Sequence, residues 1–554
     1  MANSADACVP QTLTDFVFDL YDSVTLSQLP EEQGRLYNTV LRELSAKYFA
    51  TSPWPSPQSI ASECNGDPLF LAFYRELTHR HWHAVSRPTL RDRMEGWDVY
   101  RELFDELLET AESDASPSTT QAKLFIIPEW TFDILHEFVY QFQGFCQFRT
   151  TLYASANKHN LLGGPGEPNP KAPHHVVENV AILKEAGDVW NVETVYQYLS
   201  RLVAIGTSQK VPPAYQYFGI FASVALSRLE CLLSDYTGCL QAMAPIVENT
   251  LVVQLPKPQL AADEEEASVY EPKTFSQVVH SVFAARISLT YHAGIAFLMV
   301  RRYKDAISMV GELCSYMQRG FKTGQLRKLP NSDQFFKNFD RMIALLALCT
   351  HLCPNSNLEE SITKAIREKH GAQLSKEAYG EIFVGCSPKF ISPFLPDFSQ
   401  PGLIMDNAVK HQVRLLEQNE LASQTTFREL RSFLKLYTSI SVSKLEAFGI
   451  DRKTLVALKL FSHQLESDTH SLAAESSSSS STPYSTSDES SSVSLSWKNA
   501  TPKSALDIHF YLEDDEIVHI DEAEKQRRFE NYFLGQIVQS YDIRKEANSI
   551  EASD

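Results

Sequence analysis

From the N-terminus to about residue 424, apolar residues recur mainly at three- and four-residue steps, the spacing of one face of an α-helix. The runs 69–83 (LFLAFYRELTHRHWH), 130–149 (WTFDILHEFVYQFQGFCQFR) and 190–205 (WNVETVYQYLSRLVAI) are aromatic-rich and of helical length. Their breaks are equally legible. Pro53, Pro55 and Pro57 end one element, residues 113–120 read as a polar linker, and Gly163 to Pro173 form a Gly/Pro loop. Residues 254–273, with Pro256, Pro258, the acidic run Asp263 to Glu266 and Pro272, read as an exposed loop. From Val278 to Val310 the pattern predicts two antiparallel helices. The first carries Tyr291, Gly294 and Phe297, and Arg301-Arg302-Tyr303 lead into Ala306, Ile307 and Val310. Small residues at Ala293, Gly294, Ala296 and Ala306 allow helix backbones to approach closely, as in tetratricopeptide-type pairs. Further pairs at 215–250 and 335–370 make a helical solenoid the predicted architecture.

The period changes in the last quarter. Phe427, Leu430, Phe433/Leu434 and Tyr437 give one more apolar helical stripe, and Thr438 to Ser441 break it with turn and cap hydroxyls. A short second helix is expected with Val442, Leu445 and Phe448 on one side, Ser443 and Glu446 forming a capping box, and Gly449 as its stop. Asp451 then caps a third helix with the stripe Leu455, Leu458, Phe461 and Leu465. After a serine tract at 471–496, Ile508, Phe510 and Leu512 alternate with polar residues. Asp514-Asp515 precede a second alternating run through Ile517, His519 and Asp521, so a two-stranded hairpin is expected. Three helices and a hairpin together read as a winged helix. Beyond it, Phe529, Phe533, Ile537 and Tyr541 recur every fourth residue, with Tyr532, Leu534 and Val538 widening the apolar band of a terminal helix.

Composition narrows the class. At 554 residues the chain exceeds one ordinary core of about 100–200 residues, and its 43% apolar content suits globular packing. No stretch approaches the roughly 20 apolar residues that span a bilayer. The early acids Asp6, Asp15 and Asp19 and the lack of a basic start argue against a signal peptide, so a soluble, intracellular protein is expected. Nine cysteines without a Cys-x-x-Cys pair fit reduced, buried thiols better than a disulfide framework. A net charge of −19 repels nucleic acid over most of the surface, so any RNA contact requires a local basic face.

Several residue groups invite a chemical reading and none completes one. Glu76, His79, His81 and His83 crowd one segment, but on a helix His81 points away from the other three and no distant ligand cluster completes a tetrahedral metal set. A polar helix end packing Trp82 is the simpler account. His136-Glu137 begins a zinc-protease pattern, yet Tyr140 stands where the second histidine must be. Cys349 and Cys353 with His351 lie among Leu345, Leu346, Leu348 and Leu352, which favours buried packing. Gly163-Gly164-Pro165-Gly166 lacks the lysine and helix that cradle phosphate. No catalytic, metal or cofactor site is therefore expected.

Binding surfaces are better supported. Residues 428–459 hold Arg428, Arg431, Lys435, Lys444, Arg452, Lys453 and Lys459 against Glu429, Glu446 and Asp451, a local excess that reads as an RNA or protein contact or as a solvated helical surface. Base-reading clusters are lacking, which favours protein. The terminal helix (Phe529, Tyr532, Phe533, Ile537, Tyr541) must be covered either by its own winged helix or by a partner. The serine tract is too polar to fold, and its serines are candidate phosphoacceptors.

Eight collinear segments resemble a known family: SPWPSPQSIA at Ser52, FLAFYRELTHRHWHA at Phe70, DILHEFVYQFQGFCQFR at Asp133, VWNVETVYQYLSRLV at Val189, AGIAFLMVRRYKDAI at Ala293, CSPKFISPFLPDF at Cys386, RSFLKLYTSISVSKLEAF at Arg431 and IHFYLEDDEIVHI at Ile508. Helical repeats ending in a winged helix resemble the PCI domain of proteasome-lid, signalosome and translation initiation factor 3 subunits, and these segments are similar to the L-type subunits of that factor. Residues 254–273 and 471–496 look like insertions relative to that family. The resemblance implies a mainly α fold: an N-terminal helical domain (1–160), a helical region with exposed loops (161–285), a helical-repeat arm (286–424), a winged helix (425–525) interrupted by a Ser-rich loop (467–506), and a C-terminal helix and tail (526–554). It implies a non-catalytic, cytoplasmic scaffold in a factor that binds the small ribosomal subunit and promotes recruitment of initiator tRNA and mRNA, with K- and E-type subunits as neighbours. A proteasome-lid or signalosome scaffold and a standalone RNA-binding adaptor are the alternatives.

Overall fold

The computed structural model describes residues 10–26, 30–113, 124–162, 172–186, 189–208, 211–247, 252–253, 272–329, 332–353, 358–392, 396, 398, 407–458, 509–514 and 516–521, with short helical pieces at 536–537, 540–541 and 544. The linker at 114–120, most of the Gly/Pro loop, the acidic stretch 254–271 and the serine tract lie outside the described residues.

The N-terminal elements are α1 (Gln11–Thr25), α2 (Pro30–Arg35), a π-helical turn (Leu36–Val40) leading into α3 (Leu41–Tyr48), α4 (Pro57–Ile60), α5 (Pro68–Val85), α6 (Leu90–Ser113), α7 (Pro128–Lys158) and α8 (His174–Glu185). The arm continues with α9 (Val192–Gly206), α10 (Pro213–Leu233), α11 (Tyr236–Ala242), α12 (Ala244–Val247) and a small ribbon of β1 (Val252–Val253) against β2 (Lys273–Thr274). It then runs through α13 (Phe275–Ser281), α14 (Phe283–Met299), α15 (Tyr303–Thr323), α16 (Ser332–Leu352), α17 (Glu360–Ser375), α18 (Tyr379–Cys386) and α19 (Ala408–Leu415). The three aromatic-rich runs are α5, α7 and α9. Local chemistry starts them where expected: Pro68 opens α5 while the Asp67 carboxylate accepts the Leu69 and Phe70 amides, satisfying orphan donors of the first turn.

One apolar core runs from Leu13 to Leu421. Its thickest part is aromatic, with Trp190 fully buried and packed on Trp97, Tyr100 and Phe138 at centroid distances of 5.2, 6.1 and 5.5 Å. The Trp190 indole N–H reaches the Arg93 carbonyl at 2.8 Å, which removes the cost of burying that donor. Helix pairs stack closely where glycine allows it. A Cβ on Gly219 of α10 would lie 2.5 Å from the Gly206 Cα of α9, so these backbones touch. Gly294 sits against Val310 and Leu345, where a Cβ would meet side-chain carbons at 2.5 and 2.9 Å, and this brings α14, α15 and α16 together. The expected pair at 278–310 is present, but Val278 belongs to the separate helix α13 because Val282 turns to an extended conformation between α13 and α14.

After α18 the chain doubles back as a strap. The Gln143 amide of α7 donates to the Lys389 carbonyl at 2.7 Å, the Ile391 amide donates to the Leu232 carbonyl at 2.8 Å, and the Arg149 guanidinium donates to the Pro396 carbonyl at 3.2 Å. Phe390, Ile391 and Phe398 of the strap are buried. The segment CSPKFISPFLPDF thus ties the C-terminal arm to an N-terminal helix.

Among the described residues no single helix is long and apolar enough to cross a membrane; α13 and α14 pass such a test only together, across a bend of 111°. The eight described cysteines are all free and buried, as the cysteine spacing suggested. Burial pushes the thiols of Cys146 and Cys386 up to about 12.

Candidate interaction surface on the winged helix

A second, separate apolar core gathers Phe427, Leu430, Leu434, Ile440, Val442, Leu445, Ile450, Leu455, Leu458, Phe510 and Val518. A π-helical turn, Leu416–Leu421, leads from α19 into α20 (Ala422–Leu436), whose Phe427, Leu430 and Leu434 face that core. Next come β3 (Ser439–Ser441), α21 (Val442–Ala447) and a helix over 452–458, here α22. Strands β4 (His509–Glu513) and β5 (Ile517–Asp521) close the module.

Two details differ from expectation. The sheet has three strands in the order β3-β5-β4, not two, because Ser439 to Ser441 pair antiparallel with Ile517 to His519 instead of serving only as a turn. The Val442 amide also donates to the Glu516 carbonyl at 2.8 Å, and this bond fixes the start of α21 at Val442. Ser443 then lies inside the first turn, so the expected capping box does not form; Ser441 holds the cap position without a side-chain cap bond. Gly449 does end the helix, at φ +85°, with the Ile450 amide bonded to the Leu445 carbonyl at 3.0 Å. Asp514 turns the hairpin at φ +47°, a conformation that aspartate tolerates better than most residues.

The candidate basic residues fall as follows. Lys435, Lys444, Arg452 and Lys453 are exposed, and the Lys444 ammonium sits 4.6 Å from the Tyr437 ring centroid. Glu429, Glu446 and Asp451 are exposed among them. The side chains of Arg428 and Arg431, and Lys459 entirely, lie outside the described residues. In the terminal helix Phe529, Tyr532 and Phe533 also lie outside, whereas Ile537 and Tyr541 are helical and 50% and 67% exposed.

Sequence reasoning missed one patch here. Phe448 is not inside with Val442 and Leu445. It is 45% exposed and stacks on Phe433 with centroids 4.8 Å apart and planes 8° apart. Leu436, at 76% exposure, stands beside them. The signal available in sequence was Leu436, an apolar residue off the stripe of Leu430, Leu434 and Tyr437, whereas Phe433 and Tyr437 are half-buried against the small core.

The histidine-rich segment of α5 is structural but more interior than a polar helix end. Glu76 is fully buried, accepts from Tyr100 Oη at 3.2 Å and pairs with Arg80 Nε at 3.2 Å. Burial, opposed by the Arg80 guanidinium, pushes the Glu76 carboxyl up to about 7. Arg80 also donates to Tyr37 Oη, which donates to Asp133 at 2.7 Å, so one network joins four elements. His83 lies 3.5 Å from Glu137, and burial with His79 and Arg93 nearby depresses it to about 4. His81 points away, to the Phe49 carbonyl at 3.0 Å. Among the described residues no three His, Cys, Asp or Glu side chains are arranged to hold a metal ion. His136 is engaged by the buried Arg228, which donates to its ring at 3.1 Å and its carbonyl at 3.2 Å. Cys349 and Cys353 are buried, and His351 Nε2 meets Tyr379 Oη at 2.8 Å.

Comparisons with known proteins cover most of the chain. Residues 92–540 match the family described as RNA polymerase I-associated factor PAF67. A protein from Nematostella vectensis named eukaryotic translation initiation factor 3 subunit L is 27% identical, over 98% of this chain and 93% of its own length. Proteins of the same name from Mycosarcoma maydis (27%, covering 99% and 75%) and Drosophila melanogaster (26%, covering 98% and 93%) align in the same way. Matched over most of its length by one family model and nearly end to end by relatives that share one name, the chain belongs to the PAF67 family of translation initiation factor 3 L-type subunits.

Proposed function

We propose that the chain is a non-catalytic scaffold subunit of translation initiation factor 3, acting in the cytoplasm. The observation that carries this reading is the match, over 98–99% of this chain, to proteins named subunit L from Nematostella vectensis, Drosophila melanogaster and Mycosarcoma maydis. The architecture suits it, because a helical arm tied into one core and ending in a winged helix offers extended surfaces and sheet edges to neighbours. In this role the regions 1–160, 161–285 and 286–424, which share one apolar core, act together as the arm, with 425–525 as the winged helix and 526–554 as the C-terminal helix and tail. The assembled factor binds the small ribosomal subunit and promotes recruitment of initiator tRNA and mRNA, and K- and E-type subunits are the direct neighbours.

The terminal helix contributes to those contacts. Ile537 and Tyr541 are one helical turn apart and exposed, which a helix tolerates better against a partner than in water. Affinity purification of the tagged full chain tests the role: copurifying initiation-factor and small-subunit ribosomal proteins are expected, and proteolytic-complex subunits or RNA alone would overturn it. Truncation at Glu522 is expected to lose those partners while leaving a folded chain.

A further inference from the structure

The arm bends where Val282 separates α13 from α14, and a small pocket lies between these helices and α15. His280 of α13, Arg286, Leu289 and Thr290 of α14, and Met309 and Leu313 of α15 line it. Their spacing explains the convergence. Arg286, Leu289 and Thr290 lie three and four residues apart on one face of α14, and Met309 and Leu313 lie four apart on α15.

The polar groups of this pocket are held in place without being used. Thr290 is 5% exposed, and its hydroxyl makes no hydrogen bond among the described residues, not even to the carbonyl one turn back that helical threonines often take. Arg286 is fixed by stacking, with its guanidinium 5.2 Å from the Tyr316 ring centroid. Stacking occupies the face of a guanidinium and leaves its in-plane N–H donors free. Those donors also make no hydrogen bond among the described residues, and the Glu312 carboxylate stands 3.9 Å away, beyond bonding distance. The His280 ring is anchored by Nδ1, 2.6 Å from the Ser276 carbonyl. Burial, with Arg286 nearby, holds that ring below the ordinary histidine range, so it is neutral at neutral pH.

Charge and size select the ligand. Glu312 faces Arg286, Arg319 on the same helix lies near Glu312, and Asp305, one turn before Met309, is paired with Arg302 at 2.6 Å. With His280 neutral, one positive charge is left over. A monoanion balances it, whereas a phosphate dianion would be repelled by Glu312. The enclosed part of the pocket is about 20 Å³, the room of one or two water-sized groups, so a ring or a phosphate is too large for it. A carboxylate matches the guanidinium fork with both oxygens, and the Thr290 hydroxyl supplies a further donor. Leu289, Met309 and Leu313 provide apolar wall for an aliphatic stem.

We infer that the pocket between α13, α14 and α15 binds a small aliphatic carboxylate, held by Arg286 and Thr290. The carboxylate belongs to a free small molecule or to an acidic side chain of another polypeptide, and the site stands whichever assembly the chain joins.

The test titrates the purified full chain with sodium butyrate and reads saturation-transfer difference NMR of the butyrate protons, with uncharged butyramide and sodium chloride as controls. Saturable transfer to butyrate and little to butyramide is expected. Arg286→Gln should raise the butyrate dissociation constant about tenfold and Thr290→Val about threefold, while Arg327→Gln, on the exposed turn after α15, should leave it unchanged. Thermal unfolding establishes that each variant is folded, and Thr290→Val, which keeps the side-chain shape, decides the matter if Arg286→Gln is not. A blocked tripeptide with a central glutamate separates the two sources: tighter binding than butyrate assigns the site to a partner's side chain, and weaker binding to a free carboxylate. No saturable transfer to butyrate or the peptide, equal transfer to butyramide, displacement by equimolar chloride, or an affinity that neither Arg286→Gln nor Thr290→Val changes would overturn the inference.

Discussion

Gln143 donates a hydrogen bond to the backbone carbonyl of Lys389, 246 residues further along the chain. The same side chain accepts from the buried Arg228 at 3.3 Å, so one glutamine serves α7, α10 and the strap after α18. Gln143→Ala leaves the Lys389 carbonyl and a guanidinium N–H without their partner. A loss of about 1–3 kcal/mol is expected. Hydrogen exchange should rise across residues 387–392, and unchanged protection there would show that the bonds to Leu232 and Pro396 and the buried Phe390 and Ile391 hold the strap without Gln143.

Gly219→Ala is expected to destabilise by about 1–3 kcal/mol, as overpacking of a tight core does. The new methyl group would meet the Gly206 backbone, which has no side chain to move away. Thermal unfolding reads the effect. Gly371→Ala on α17, where the Cβ meets only an Arg367 side-chain carbon at 3.7 Å, is the control and should not lower the midpoint.

Acid should weaken the fold in a defined window. Burial, with Arg228 adding to it, depresses His292 to about 3, and His83 is held at about 4. Both folded values lie below the ordinary 6.5, so each histidine's stabilising share is complete above pH 6.5 and is lost as pH falls toward its folded value, by about 1.4 kcal/mol per pH unit at most. Glu76 acts oppositely. Its folded value of about 7 exceeds the ordinary 4.5, so its share is complete below pH 4.5 and is lost as pH rises to 7. Between 4.5 and 6.5 the two trends offset each other. Glu76→Gln should therefore steepen the acid loss in that interval, measured by denaturant titration at several pH values; an unchanged slope would remove Glu76 from the account.

Leu430→Ala, in the smaller core, should cost about 2–5 kcal/mol through the lost apolar contacts and the cavity left behind. Because that core is separate from the one running from Leu13 to Leu421, hydrogen exchange should rise over 427–458 and 509–521 and stay low in α10 and α14. Equal exposure of both regions would mean that they unfold as one unit.

The long helices were legible because their stripes are written in consecutive residues: Phe70, Phe73 and Leu77 on α5, or Phe138, Phe142 and Phe145 on α7, are all buried. Gly294 was legible as a close approach because small residues cluster around it. What stayed hidden depends on distant partners. Ser439-Ile440-Ser441 reads as a turn until Ile517 to His519 offer an edge to pair with. Glu76 reads as the polar face of a helix until Tyr100 and Arg80 enclose it. Phe448 reads as core because its spacing from Val442 and Leu445 suits one face, and only the stack on Phe433 places it at the surface. The strap was visible as a run of unusual residues, CSPKFISPFLPDF, without any sign of what it crosses.

The smaller core is assembled across a gap in the sequence: β3 comes before residues 459–508 and pairs with β5, which comes after them. The two ends of that 50-residue stretch belong to one hydrogen-bonded module, so its length is nearly decoupled from the module's geometry. Doubling the length of a loop costs only about 0.6 kcal/mol in closure entropy. A fluorescent reporter or epitope spliced in between residues 459 and 508 is therefore expected to leave the sheet on either side in register.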